Sequence, residues 1–85
     1  AMNNTIMRTI TVTADYQPLA SQRLVGSVTI SCPPGNAGPV IFKGDDGSEV
    51  PWIAGEWHSF RSIDLGAVFV KGTPGDTISI VGGTW

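Results

Sequence analysis

Residues 23–39 read RLVGSVTISCPPGNAGP, and this stretch decides the fold class. Leu24, Gly26, Val28, Ile30 and Cys32 alternate with Val25, Ser27, Thr29 and Ser31. A period of two is the pattern of a strand with one face on a core. β-branched Val, Ile and Thr are stiff at χ1 and suit a pleated surface better than a helix. Gly26 inside the run marks a bulge or a close backbone approach. Pro33-Pro34 then stops the strand, because proline fixes φ and has no N–H to donate. The segment 33–39 is predicted to be a rigid loop carrying the chain from one sheet to another.

Working outward, the N-terminal side repeats the pattern. Ile6, Ile10 and Val12 share one face over 5–14, with Thr9, Thr11 and Thr13 on the other and Arg8 interrupting the apolar side. Residues 15–22, with Asp15 and Pro18, read as a loop or a single helical turn. On the C-terminal side, 40–43 is a short strand and GDDGS a hairpin turn. Asp46-Gly47 is the pair a type I′ turn favours, because both central residues need positive φ. Pro51 makes 49–53 an edge strand or irregular. Ala54-Gly55 turns again, and 56–61 is a further strand. Ile63 to Leu65 leads into 67–71, where Val68 and Val70 flank Phe69. GTPGD is a turn, and 77–81 is the last strand, with Ile78 and Ile80 inward. Gly82, Gly83 and Thr84 lead out to Trp85. No stretch carries a helical period, and turns recur about every eight to twelve residues. The expected fold is all-β: a small antiparallel β-sandwich or barrel of six to eight short strands. It forms one domain over 1–85, with 1–4 a flexible or tag-derived start in which Met2 follows a cloning remnant, Ala1.

A chain of 85 residues buries only about 60% of its unfolded surface, so its core is thin. Small domains add disulfides, metals or partner subunits to compensate. Cys32 is the only cysteine, so no disulfide can form within the chain. It reads as a small core residue, with a reactive thiol the lesser alternative. Oligomerisation is the expected supplement.

Five Lys and Arg stand against seven Asp and Glu. Arg8, Arg23, Lys43, Arg61 and Lys71 are scattered, which argues against a nucleic-acid footprint and against an anionic membrane surface. Charged residues make up 14% of the chain, against roughly 25% in an average soluble domain. Ser, Thr and Gly supply wettability instead, which suits a protein packed against other subunits. No apolar run is long enough to span a bilayer as a helix, and no signal-peptide core is expected at the start. A leaderless chain with one free cysteine is expected to be made in a reducing cytosol.

Candidate sites are few. Asp45, Asp46 and Glu49 could offer oxygens to calcium, but the ligand spacing of a calcium loop is absent, and a solvated hairpin turn is the stronger reading. Trp52, Trp57, His58 and Trp85 are the candidate interaction residues. They could stack on sugar rings or pack across a subunit interface, against the plainer alternative that the tryptophans anchor a thin core. His58 with Glu56, Asp64 or Asp76 could form an acid–base pair, yet no nucleophile motif accompanies it. Cys32 and His58 lie too far apart in sequence for a recognisable zinc spacing. No catalytic residue, metal or cofactor is expected.

The runs GDDGSEVPWIAGEWHSF and VFVKGTPGDTISIVGGTW, within residues 44–85, resemble small proteins encoded in the structural gene clusters of tailed bacteriophages. The likeness rests on the paired tryptophans, the KGTPGD turn and the ending GGTW. It implies a non-enzymatic virion subunit of the head-decoration or tail-accessory type, made in the bacterial host cytoplasm. Such a subunit would contact protein: copies of itself, with a trimer among the candidates, or a capsid or tail lattice. The alternatives are a carbohydrate-binding module using exposed tryptophans and a phage-encoded inhibitor of a host protein.

Overall fold

The computed structural model describes residues 5–84. Its strands are β1 (Thr5–Thr11), β2 (Gln17–Pro18), β3 (Val25–Ser31), β4 (Val40–Lys43), β5 (Val50–Trp52), β6 (Trp57–Asp64), β7 (Phe69–Lys71) and β8 (Thr77–Gly83). They form two antiparallel four-stranded sheets, ordered β1-β8-β3-β6 and β2-β7-β4-β5. The protein is a small β-sandwich. Alternation along each strand sends one set of side chains between the sheets. Val28, Ile30 and Cys32 from β3 and its end, Ile78 and Ile80 from β8, and Val40, Phe42 and Val70 from the second sheet are all buried there.

The segment 33–39 does carry the chain from the first sheet, at β3, to the second, at β4. It is pinned from the far end of the sequence. The buried Asp76 carboxylate accepts the Ala37 N–H at 3.0 Å and the Gly38 N–H at 3.1 Å. Asn36 adds a reciprocal pair with Thr77, donating to its carbonyl at 2.8 Å and accepting its N–H at 3.1 Å. A proline-rich loop has few backbone donors, and here two of them are satisfied by one carboxylate. Asp76→Ala is expected to cost about 2–3 kcal/mol, because charge-assisted bonds vanish and their donors are left unpaired. The check is a lower urea midpoint with an unchanged m-value.

The structure departs from the sequence reading at several places. Residues 15–22 contain β2, which pairs with β7 through Gln17↔Val70 and Pro18↔Phe69. Proline is tolerated because β2 is a sheet edge. The single helical turn forms elsewhere, as a 3-10 turn at Leu65–Ala67, where Asp64 Oδ1 accepts the Gly66 N–H at 2.9 Å. The GDDGS turn is not type I′: Gly47 has φ 79°, but Asp46 does not share the left-handed region. Asp46 instead accepts the Ser48 N–H at 2.8 Å, a side-chain-closed turn in a longer loop. Finally, 56–61 and 63–64 are one strand, β6. A bulge at Arg61 and Ser62 lets it continue, with Ser62 at φ 53° and its N–H bonded to Ser27 Oγ at 3.1 Å.

The last strand also runs further than expected, through Gly82 and Gly83. Both pair with β1 on one side and β3 on the other. Gly26 meets Gly83 at close range: a Cβ there would lie 2.8 Å from the Gly83 carbonyl oxygen. The close approach expected at Gly26 is therefore present, next to the bulge.

Candidate functional site

Strand β6 positions two of the candidate residues on opposite faces. His58 and Phe60 point between the sheets, opposite Ile30 and Val28. Trp57 and Ser59 point outward. Trp57 is 62% exposed, whereas Trp52, on β5, is 5% exposed and belongs to the core. The structure brings Trp52 and His58 together and leaves Trp57 apart from them. Trp85 lies outside the described residues.

Trp52, His58 and Phe60 line an open cleft of about 450 Å3 between β6 and the β4–β5 hairpin, together with Phe42, Val50 and Ile30. The Phe42 and Trp52 rings stack at 3.9 Å between centroids, and Phe60 lies nearly parallel to Trp52 at 6.2 Å. The His58 and Trp52 rings meet in a T-shaped contact with centroids 4.7 Å apart. Its Nε2 is 2.6 Å from Glu56 Oε2, and Glu56 Oε1 accepts the Ile53 N–H at 3.0 Å. One carboxylate thus closes the β5–β6 turn and orients the imidazole at the cleft mouth.

The bond to His58, and then the Ile53 N–H, hold the Glu56 carboxyl below the ordinary carboxylate range. The folded protein binds that proton less tightly than the unfolded chain. Ionised Glu56 therefore stabilises the fold above the unfolded carboxylate pKa of about 4.3, and this contribution is lost as pH falls through the lower folded value. Glu56→Gln is expected to lower stability slightly at neutral pH and to flatten its decline below about pH 4, since the pair is partly solvated. Urea midpoints measured across that range check the expectation.

The pair orients a ring but has no nucleophile beside it among the described residues. Ser59 Oγ is hydrogen-bonded to Thr29 Oγ1 at 2.8 Å on the outer face. Cys32 is buried, and burial, followed by the negative charge of Glu56, pushes its thiol up to about 11, so it stays protonated at neutral pH. The carboxylates of GDDGSE do not converge. Asp46 serves its own turn, while Glu49 accepts from the Tyr16 hydroxyl and lies 3.4 Å from Lys71 Nζ. Among the described residues no group of three or more metal-binding side chains occurs.

Two surface features went unnoticed in the sequence. On the second sheet, Lys43 Nζ lies 4.2 Å and Lys71 Nζ 4.7 Å from the Tyr16 ring centroid, and Glu49 joins them. Burial and then Glu49 push the Tyr16 hydroxyl up to about 12. On the first sheet, more than half of the outward positions of β1, β8, β3 and β6 are Ser or Thr. They are interrupted by exposed Met7, Val25, Val81 and Trp57, and their charges are Arg61 and, at the end of β6 opposite Val25, Asp64. Strict alternation, carried across from the inward residues, is the signal that would have found this face.

No family model, curated protein or solved structure matches the chain. No helix among the described residues is long and apolar enough to cross a membrane.

Proposed function

We propose that this chain is a non-enzymatic structural or accessory subunit of a tailed-phage virion, acting through protein–protein contacts. The observation that carries the contact reading is the outer face of the β1-β8-β3-β6 sheet. It holds four exposed apolar side chains and only two charges, Arg61 and, at one end, Asp64, and low charge with aromatic and methionine side chains is the composition of an interface centre. The virion assignment is supported by the likeness of residues 44–85 to phage structural proteins. That face fits association with copies of the chain or with a capsid or tail lattice.

A sugar platform needs two tryptophans exposed side by side, and among the described residues Trp57 is exposed alone. The proposal is tested by mass spectrometry of purified virions from the phage that encodes the chain. Recovery of the protein at a fixed copy number per particle is expected. Its absence from particles that form and infect normally would overturn the virion assignment.

A further inference from the structure

The open edge of β1 offers a more specific contact. The Val12 N–H donates to the Asp76 carbonyl at 2.8 Å, which continues the β1–β8 register of Ile10↔Ile78. In an antiparallel ladder, alternate residues face the partner strand. Ile6, Arg8 and Ile10 therefore bond to β8. The N–H and C=O groups of Thr5, Met7 and Thr9 point away from it, along an edge that no described strand covers. Thr11 faces the same way, but its carbonyl accepts Gln17 Nε2 at 2.8 Å.

The other sheet edges are short or broken. β2 has two residues, including Pro18, and β5 has three, including Pro51. β6 is interrupted by the bulge at Ser62. β1 has seven residues without proline, glycine or bulge, and one charge, Arg8. A long, regular, nearly uncharged edge is a template for another strand.

We infer that β1 pairs with β1 of a second copy, antiparallel about a two-fold axis at Met7, to make one continuous eight-stranded sheet. Several local registers are open to this edge. Centring on Ile6 pairs only Thr5 with Met7 among the described residues, about four hydrogen bonds in place of about six, and centring on Ile10 calls on Thr11. Centring on Arg8 sets two arginines directly opposite each other, which is destabilising. Centring on Thr9 calls on the Thr11 carbonyl that Gln17 already occupies. Centring on Met7 sets Arg8 opposite Ile6 and uses both backbone groups of Thr5, Met7 and Thr9. It also aligns Val81, Met7 and their two symmetry equivalents in one outward row, because Met7 is the cross-strand partner of Val81. Met7 is 73% exposed and Val81 51% exposed in the single chain. The contact is isologous, so it closes at two copies.

This inference rests on the protein-contact reading, and its test is separate from the virion test. Sedimentation equilibrium is expected to show a reversible dimer at concentrations on the order of 100 μM, since one strand pair is a small interface. Thr9→Pro removes an N–H that faces away from β8, so the intrachain ladder survives and circular dichroism is expected to be unchanged. Dimerisation should weaken at least tenfold, because two of about six intermolecular hydrogen bonds are lost. Met7→Cys should form a covalent dimer on mild oxidation, and Thr9→Cys should not; buried Cys32 does not interfere. A monomeric wild type overturns the inference. So does a dimer indifferent to Thr9→Pro, or one in which Met7→Cys fails to cross-link. In the latter two cases another surface makes the contact and the protein-contact reading stands.

Discussion

Trp52→Ala is expected to lower stability by about 3–5 kcal/mol, the range for truncating a buried aromatic side chain. Trp52 is 5% exposed and stacks on Phe42 at 3.9 Å. β5 has only three residues, and its sheet bonds reach β4 alone. The indole is therefore the main anchor of a short, proline-containing edge strand. For 85 residues, at roughly 0.05–0.15 kcal/mol per residue, the whole fold is worth about 4–13 kcal/mol, so the loss is a large share. Trp57→Ala, on the exposed face, should change stability by no more than about 0.5 kcal/mol. Urea unfolding of the two variants, followed by far-UV circular dichroism, makes the comparison. Equal effects would mean that Trp52 does not anchor the core.

Gly82→Ala is expected to be at least as damaging, at more than about 3 kcal/mol, through a different cause. A Cβ at Gly82 would lie 2.1 Å from the Ser27 carbonyl oxygen and 2.6 Å from Val28 Cα. Both are backbone atoms of the neighbouring central strand, so no rotamer change relieves the overlap. Strands β3 and β8 would have to separate where the two sheet halves are joined. Gly35→Ala is the control, because nothing lies within 4 Å of its added Cβ. Its stability should stay within about 1 kcal/mol of the parent, with any gain coming from a less flexible unfolded chain. Thermal melts of the pair test the contrast.

Gly82 also shows why part of the fold was legible in the sequence and part was not. β3, β4 and the inward residues of β8 follow from alternation and turn chemistry, which are local. The sheet-to-sheet passage of 33–39 follows from its prolines. By contrast, Gly82 and Gly83 look like a loop on propensity alone, and the close approach of β3 overrides that. β2 was hidden for a related reason: two residues hold no period, and only pairing with β7 makes them a strand. The bulge that fuses β6 depends on Ser27 across the sheet, which no local pattern reports.

The candidate site was legible only in pieces. Its residue types could be read from the sequence, but their grouping could not. Trp52 and Trp57 are five positions apart, with a turn between them, so their faces are not fixed by a single period. The turn sends one indole into the core and the other to the outer face. His58 then meets Trp52 rather than its chain neighbour Trp57. The sparsely charged outer face and the open β1 edge depend on strand order, which the sequence does not specify.

The clamp on the 33–39 loop carries a consequence for rates as well as for equilibrium. Asp76 is 38 positions from Gly38, and Asn36 is 41 from Thr77. Such closures are entropically costly, and a sandwich with non-local pairing makes them slowly. If the loop docks after the rate-limiting step, Asp76→Ala will leave the refolding arm of a chevron nearly unchanged and speed escape from the native state. The carboxylate would then act as a latch on lifetime: it sets how long each folded copy persists, and scarcely how fast it forms.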